Sequence, residues 1–336
     1  MTVEIRNSSP FPATQTVFMD KSASEQLVVT LKATYAISER GELAIAEEQD
    51  PLRPADEFHG EPGKSSIKHQ SELGPPGPAT DALLVGCARA PRPGVRAVEV
   101  AFRVGPCQQR AIVVGNRQWS RGGASDPEPF DAIPLLWENA FGGRDETPGR
   151  ETDHASEPRN PVGRGFRARN SRQPSDGELL PNIENPDGPL RSQGQRVDPV
   201  GFGPIARDWQ PRVGYAGTYD EQWMANRMPL LPMDFDDRFH NSAPPELVLP
   251  GYIAAGEWVQ VIGCTAGGQL TFRLPPFQPY ATVMVGGRID EVDLPCNSVT
   301  VDTDRMRLLL LWKGALRVHR EVPRLKRTTI SARRVA

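Results

Sequence analysis

The sequence predicts a mainly β protein: antiparallel sheets in a sandwich or barrel-like arrangement, a long irregular loop-rich middle, and one or two short helices. Three observations lead there. Apolar and β-branched runs gather toward both ends of the chain, and turn residues punctuate them. The 31 glycines and 34 prolines in 336 residues exceed ordinary usage yet fall short of low-complexity disorder, so the chain is ordered and rich in turns. No repeat of fixed period is visible, which removes support for solenoids and propellers. A β-rich chain of this length fits one elaborated domain over 1–336, with an N-terminal sheet in 1–120, a loop-rich middle in 121–249 and a C-terminal sheet in 250–336.

In the first zone the strands are Leu27 to Ile37, Ala82 to Cys87, Val95 to Val104 and Ala111 to Val114. Between the first two, Pro51 to Thr80 holds too many proline, glycine and polar residues for a helix and should wrap the surface as a long ordered loop. The middle, Arg121 to Tyr215, carries 13 prolines and 13 glycines in 95 residues, but Trp137, Phe141, Phe166, Ile183, Phe202 and Trp209 would not be spent on a solvated linker. An ordered irregular layer is expected there. One short helix is expected in Ile133 to Ala140, opened by Pro134 and stopped by Gly142 and Gly143. Asp145 to Ser156 is the stretch expected to move. From Pro250 onward strands return at Trp258 to Gly263, Gln269 to Leu274, Ala281 to Val285, Val299 to Val301 and Met306 to Trp312, and the basic end from Arg324 to Arg334 reads as a last strand and a frayed tail.

A net charge of -3 and a pI of about 6.0 give no global field to recruit nucleic acid or an anionic membrane. The acidic and polar N-terminal stretch reads as no signal peptide, and Leu308 to Trp312, the longest uninterrupted aliphatic and aromatic run, is far short of a bilayer span. Cys87, Cys107, Cys264 and Cys296 stand singly, as reduced thiols do, and a cytoplasmic location is expected.

Motifs that carry chemistry are weak. Gly63-Lys64-Ser65 resembles the end of a phosphate loop, but Phe58 occupies the place of its first glycine. Two glycine fingerprints, at Gly163, Gly165 and Ala168 and at Gly201, Gly203 and Ala206, open no helix after a strand. Asp234, Asp236 and Asp237 are the densest carboxylates, yet Arg238 and Phe239 break a calcium loop. Capping of turns and pairing with Arg227 or Arg238 outweighs catalysis, leaving a carbohydrate- or cell-wall-active hydrolase using Asp234 and Asp236 as the runner-up. His59, His69, His154, His240 and His319 show no metal spacing, and no cofactor or metal is expected. Arg159, Arg164, Arg167, Arg169 and Arg172 form a basic stretch better suited to a solvated loop or an acidic partner than to nucleic acid. Trp209, Tyr215, Tyr219 and Trp223 would anchor a protein partner if they shared one exposed face.

Several phrases, read in order, carry a family resemblance. They are Glu61 to Ile67, Thr80 to Leu83, Pro134 to Gly143, Asn160 to Phe166, Leu180 to Glu184, and Gly217 to Trp223 followed by Arg227, Pro229 to Pro232, Asp234 to Asp236 and Arg238-Phe239. From about Leu27 to Arg320 the chain resembles a bacterial domain of unknown function associated with effector adaptors of the type VI secretion system. The resemblance implies a chaperone, not an enzyme, that holds a toxic effector, often one with a PAAR tip, and delivers it to the VgrG spike. Cys87 departs from the family, where histidine is common, and no catalytic residue carries over. On this reading the middle region binds protein, with Trp137, Asn139, Asn160, Asn182, Tyr219, Trp223, Asp236 and Arg238 as candidates; the competing role for each is to order the loops.

Overall fold

A computed structural model describes residues 3–121, 123–171 and 176–334. Its long strands are β1 (Glu4–Asn7), β2 (Ala13–Met19), β3 (Glu25–Ile37), β4 (Asp81–Val85), β5 (Ala97–Val104), β6 (Cys107–Val114), the two-residue β7 (Ile183–Glu184), β8 (Trp258–Ile262), β9 (Gln269–Arg273), β10 (Phe277–Val285), β11 (Arg288–Asp293), β12 (Cys296–Asp302), β13 (Arg307–Arg317) and β14 (Leu325–Arg334). They build three open sheets, ordered β2-β3-β13-β12-β4, β7-β6-β5-β8-β9 and β1-β14-β10-β11, with Leu43–Ile45 added beside β3. The protein is mainly β and its pairing mostly antiparallel, as expected; β4 with β12 and β1 with β14 are parallel, and none of the sheets closes into a barrel.

The expected division into an N-terminal and a C-terminal sheet does not hold. β3 pairs along its whole length with β13, β5 lies against β8, and β1 lies against β14, so each main sheet draws strands from both ends of the chain. The reason lies in β3, whose residues 27–35 are buried without interruption; a strand buried on both faces needs cover on both and neighbours on both edges. Its partner β13 supplies Leu308 to Trp312, also buried throughout. One large hydrophobic cluster runs through all three sheets, and a smaller one of Trp119, Phe141, Phe166, Leu180 and Leu190 sits under the middle region.

The loop from Pro51 to Thr80 wraps the largest sheet, relieved only by the short pair Glu57–Phe58 and Ile67–His69. Two buried lysines hold it. Lys32 on β3 pairs with Glu72 at 2.6 Å and donates to the Pro51 carbonyl, while Lys313 on β13 donates to the Gly74 carbonyl at 3.0 Å. A buried ammonium must be satisfied where it lies, so both strands dictate the path of the loop.

The helix expected over Ile133 to Ala140 is absent. Ala132–Pro134 is instead a strand against Cys87–Arg89, and only Trp137–Asn139 makes a single 3-10 turn. Asp145 to Ser156 is also more restrained than expected: Arg144–Asp145 pairs with Ala155–Ser156, and the buried Asp145 carboxylate accepts from Thr147 and from the Ala168 N–H. The one α-helix among the described residues is Glu221–Asn226, capped by Asp220, whose carboxylate accepts from the Trp223 N–H at 2.7 Å. No helix among the described residues is long and apolar enough to cross a membrane.

Candidate protein-binding surface

The eight candidate residues divide between two places. Trp137, Asn139, Asn160 and Asn182 lie in one internal network. The Trp137 indole N–H donates to the carbonyls of Gly203 and Pro204, and its ring meets Trp209 edge-on at 6.0 Å. At Gly201 a Cβ would lie 2.6 Å from that ring, which only glycine avoids. Asn160 is fully buried, and its amide donates to the carbonyls of Trp137 and Phe141 at 2.8 and 2.9 Å. Asn182 donates to the Val114 carbonyl, and Arg164 bridges the Glu138 carbonyl and the Asn139 side chain. From the wrapping loop, Ser66 donates its N–H and hydroxyl to Glu138, both at 2.7 Å. Phrases scattered from Glu61 to Glu184 therefore converge because irregular backbone in a buried layer must find its hydrogen bonds from side chains. These four residues order loops; Trp137, Asn160 and Asn182 are buried and present nothing to a partner.

Tyr219, Trp223, Asp236 and Arg238 lie on an excursion over residues 217–238 that stands off the body. Its neck is closed by Asp234, whose carboxylate accepts from the Thr218 N–H at 3.0 Å and hydroxyl at 2.7 Å. Inside the loop the Trp223 indole donates to the Leu230 carbonyl, and Arg227 donates to the carbonyls of Leu231 and Lys21. Lys21 in turn donates to the Phe235 carbonyl at 2.8 Å. Asp236 accepts from the Arg238 N–H and guanidinium, and that guanidinium lies 4.4 Å from the Tyr215 ring centre. The backbone is thus fixed while the apolar tips remain outside. Tyr219 is 52% exposed, Met224 61%, Met228 64% and Met233 67%. Tyr219 packs edge-on against Trp223 at 4.7 Å, so the aromatic pair is already oriented. The wider aromatic face expected with Trp209 does not form, since Trp209 is buried against Trp137.

The methionines are what sequence reasoning missed. Met224 lies in the short helix and Met228 just past its C-cap, and three of the chain's seven methionines fall within ten residues. Methionine is usually core filling, but exposed and clustered it makes an adaptable contact surface.

The charged groups here are held as ions. The Thr218 donors lower the Asp234 carboxyl below the usual carboxylate range, and Arg238 lowers Asp236 in the same direction. A general acid works with the opposite shift. Elsewhere burial pushes the thiols up, Cys87 to about 11 and Cys264 and Cys296 to about 12, which leaves them poor nucleophiles. Cys87 donates to Asp304, which also pairs with Arg89. Lys64 pairs with Glu61 at an exposed turn, and no helix follows it.

The basic stretch is not a free cationic face. Arg159 pairs with Glu157 and Asp198, Arg164 belongs to the internal network, Arg167 pairs with Glu178, and Arg169 is exposed. Arg172 lies outside the described residues.

No curated protein and no solved structure is similar enough to match the chain. The model of a family described as an uncharacterized protein conserved in bacteria (DUF2169) matches residues 22–313, and the chain belongs to that family.

Proposed function

From the sequence resemblance to effector adaptors, we propose that the chain is a protein-binding adaptor that holds a toxic effector, PAAR-linked in type, and promotes its loading onto a VgrG spike in the cytoplasm of a type VI secreting cell. The observation that carries the binding part is the run of exposed apolar side chains Tyr219, Met224, Met228 and Met233 within one segment whose backbone is fixed at its neck. Apolar area left in water on an ordered segment is a cost that a partner removes. Ordering in advance lowers the entropy lost on binding. The identity of the partner rests on the sequence resemblance alone.

Affinity purification of the tagged protein from its own host, followed by mass spectrometry, tests the reading. Enrichment of a spike, a PAAR protein or a toxin is expected, with at least about a tenfold loss when Met224, Met228 and Met233 are all changed to Ser, as for removal of interface anchors. A clean protein that brings none of these, in cells expressing the secretion genes, overturns it.

A further inference from the structure

A second binding element lies on β6. β6 pairs with β5 along all eight residues, but on its other edge β7 covers only Ile112 and Val113. The Val114 N–H donates outward to the Asn182 carbonyl, so the backbone groups of Gln108 and Arg110, in the same phase of the strand, also point outward. Among the described residues neither has a backbone partner on that side. The ladder stops for a reason. The position that would face Arg110 is Pro186, which has no N–H, and Asn185 turns the chain away by accepting from the Asp187 N–H at 3.0 Å.

The vacated place is a groove of about 870 Å³, lined by Gln108 and Arg110 on one side and by Pro186, Pro199, Pro211 and Pro245 across from them. Prolines offer no main-chain donors, so those four positions do not compete with the outward N–H groups of Gln108 and Arg110. Through Ile205, Pro211 and Pro245 the groove joins a smaller, mostly apolar pocket of about 230 Å³. Two acidic side chains at the rim, Asp187 and Glu246, make no ion pair among the described residues.

We propose that this is a strand-addition site: an extended segment of a partner protein, flanked by a basic residue, continues the ladder where β7 stops. Its main chain pairs with Gln108 and Arg110, an apolar side chain enters the small pocket, and its cation meets Asp187 or Glu246. This rests on the protein-binding reading and adds the kind of segment recognised.

Amide exchange on the full chain, followed by NMR, tests the edge without any partner. Gln108 and Arg110 should exchange at least about tenfold faster than Gln109 and Ala111, whose N–H groups point to β5. Equal protection would mean that the edge is already satisfied and would overturn the proposal. The second arm titrates a synthetic heptapeptide of alternating Thr and Val with a terminal Lys at each end, against the same peptide N-methylated at alternate residues. The unmodified peptide should shift and protect Gln108 and Arg110, and both N-methylation and Gln108→Pro should weaken it by about tenfold or more, since each removes main-chain hydrogen bonds. Equal binding of the two peptides, shifts elsewhere, or no binding up to about 1 mM, the weak end of specific association, would sink the idea. None of these outcomes bears on whether the protein carries a toxin, because no toxin is used.

Discussion

The network around Asn160 and the excursion over 217–238 are built from the same materials and end in opposite states. Both are irregular, rich in proline, and pinned by side chains that accept or donate to backbone. In the first, hydrogen bonding and burial coincide: Trp137 and Asn160 are enclosed and the loops become part of the core. In the second, hydrogen bonding fixes the backbone while Tyr219 and three methionines stay exposed. Order alone therefore does not mark a residue as structural or functional; the test is what its apolar atoms touch.

The largest break in this comparison should come from Trp137→Ala. It removes a buried ring and two hydrogen bonds, and should cost about 3–5 kcal/mol in denaturant unfolding. A loss under about 1 kcal/mol would mean that the network is not a core, since that is the range of surface changes.

A pH series sharpens the same side. Burial pushes His69 and His240 down from the usual 6.5 to about 4. The unfolded chain takes up protons near 6.5 while the folded one resists until about 4, so stability is full above 6.5 and declines as pH falls between those values. The urea midpoint measured from pH 7 to 4.5 should fall, and His240→Gln should flatten the decline.

Asn160→Ala comes next. It strips the amide from the Trp137 and Phe141 carbonyls and should cost about 1–3 kcal/mol by the same unfolding measurement. The triple methionine-to-serine variant should change the unfolding midpoint by no more than about 0.5 kcal/mol per site while partner capture is lost. A large loss of stability there would place the methionines in the core and erase the contrast. Smallest of all, Asp234→Asn weakens the neck; global unfolding should not move, while the amide of Thr218 exchanges faster.

Much of the sheet content was legible. β8, β9 and β12 fall where alternating or β-branched residues sit between turns, because such runs fit a half-buried pleat. β11 was not, since only Ile289 and Val292 are apolar in a charged edge strand. The partners of the strands were also hidden: nothing in residues 25–37 says that their neighbour lies at 307–317, as that choice depends on the assembled core. At the site, the resemblance drew attention to the right phrases, but Asn139, Asn160 and Asn182 read alike whether an amide faces water or a carbonyl. Asn160 could be placed only once the carbonyls of Trp137 and Phe141 were seen around it. The methionine face was visible as spacing and was passed over because methionine is so often interior.

The pairing of β3 with β13 also sets the order of events during synthesis. β3 leaves the ribosome some 270 residues before β13. Until then β3 keeps one edge open and an apolar run without its neighbour, the kind of exposed strand that recruits the wrong company. Its folding should be slow for its size, limited by closing the long stretch of chain between β3 and β13.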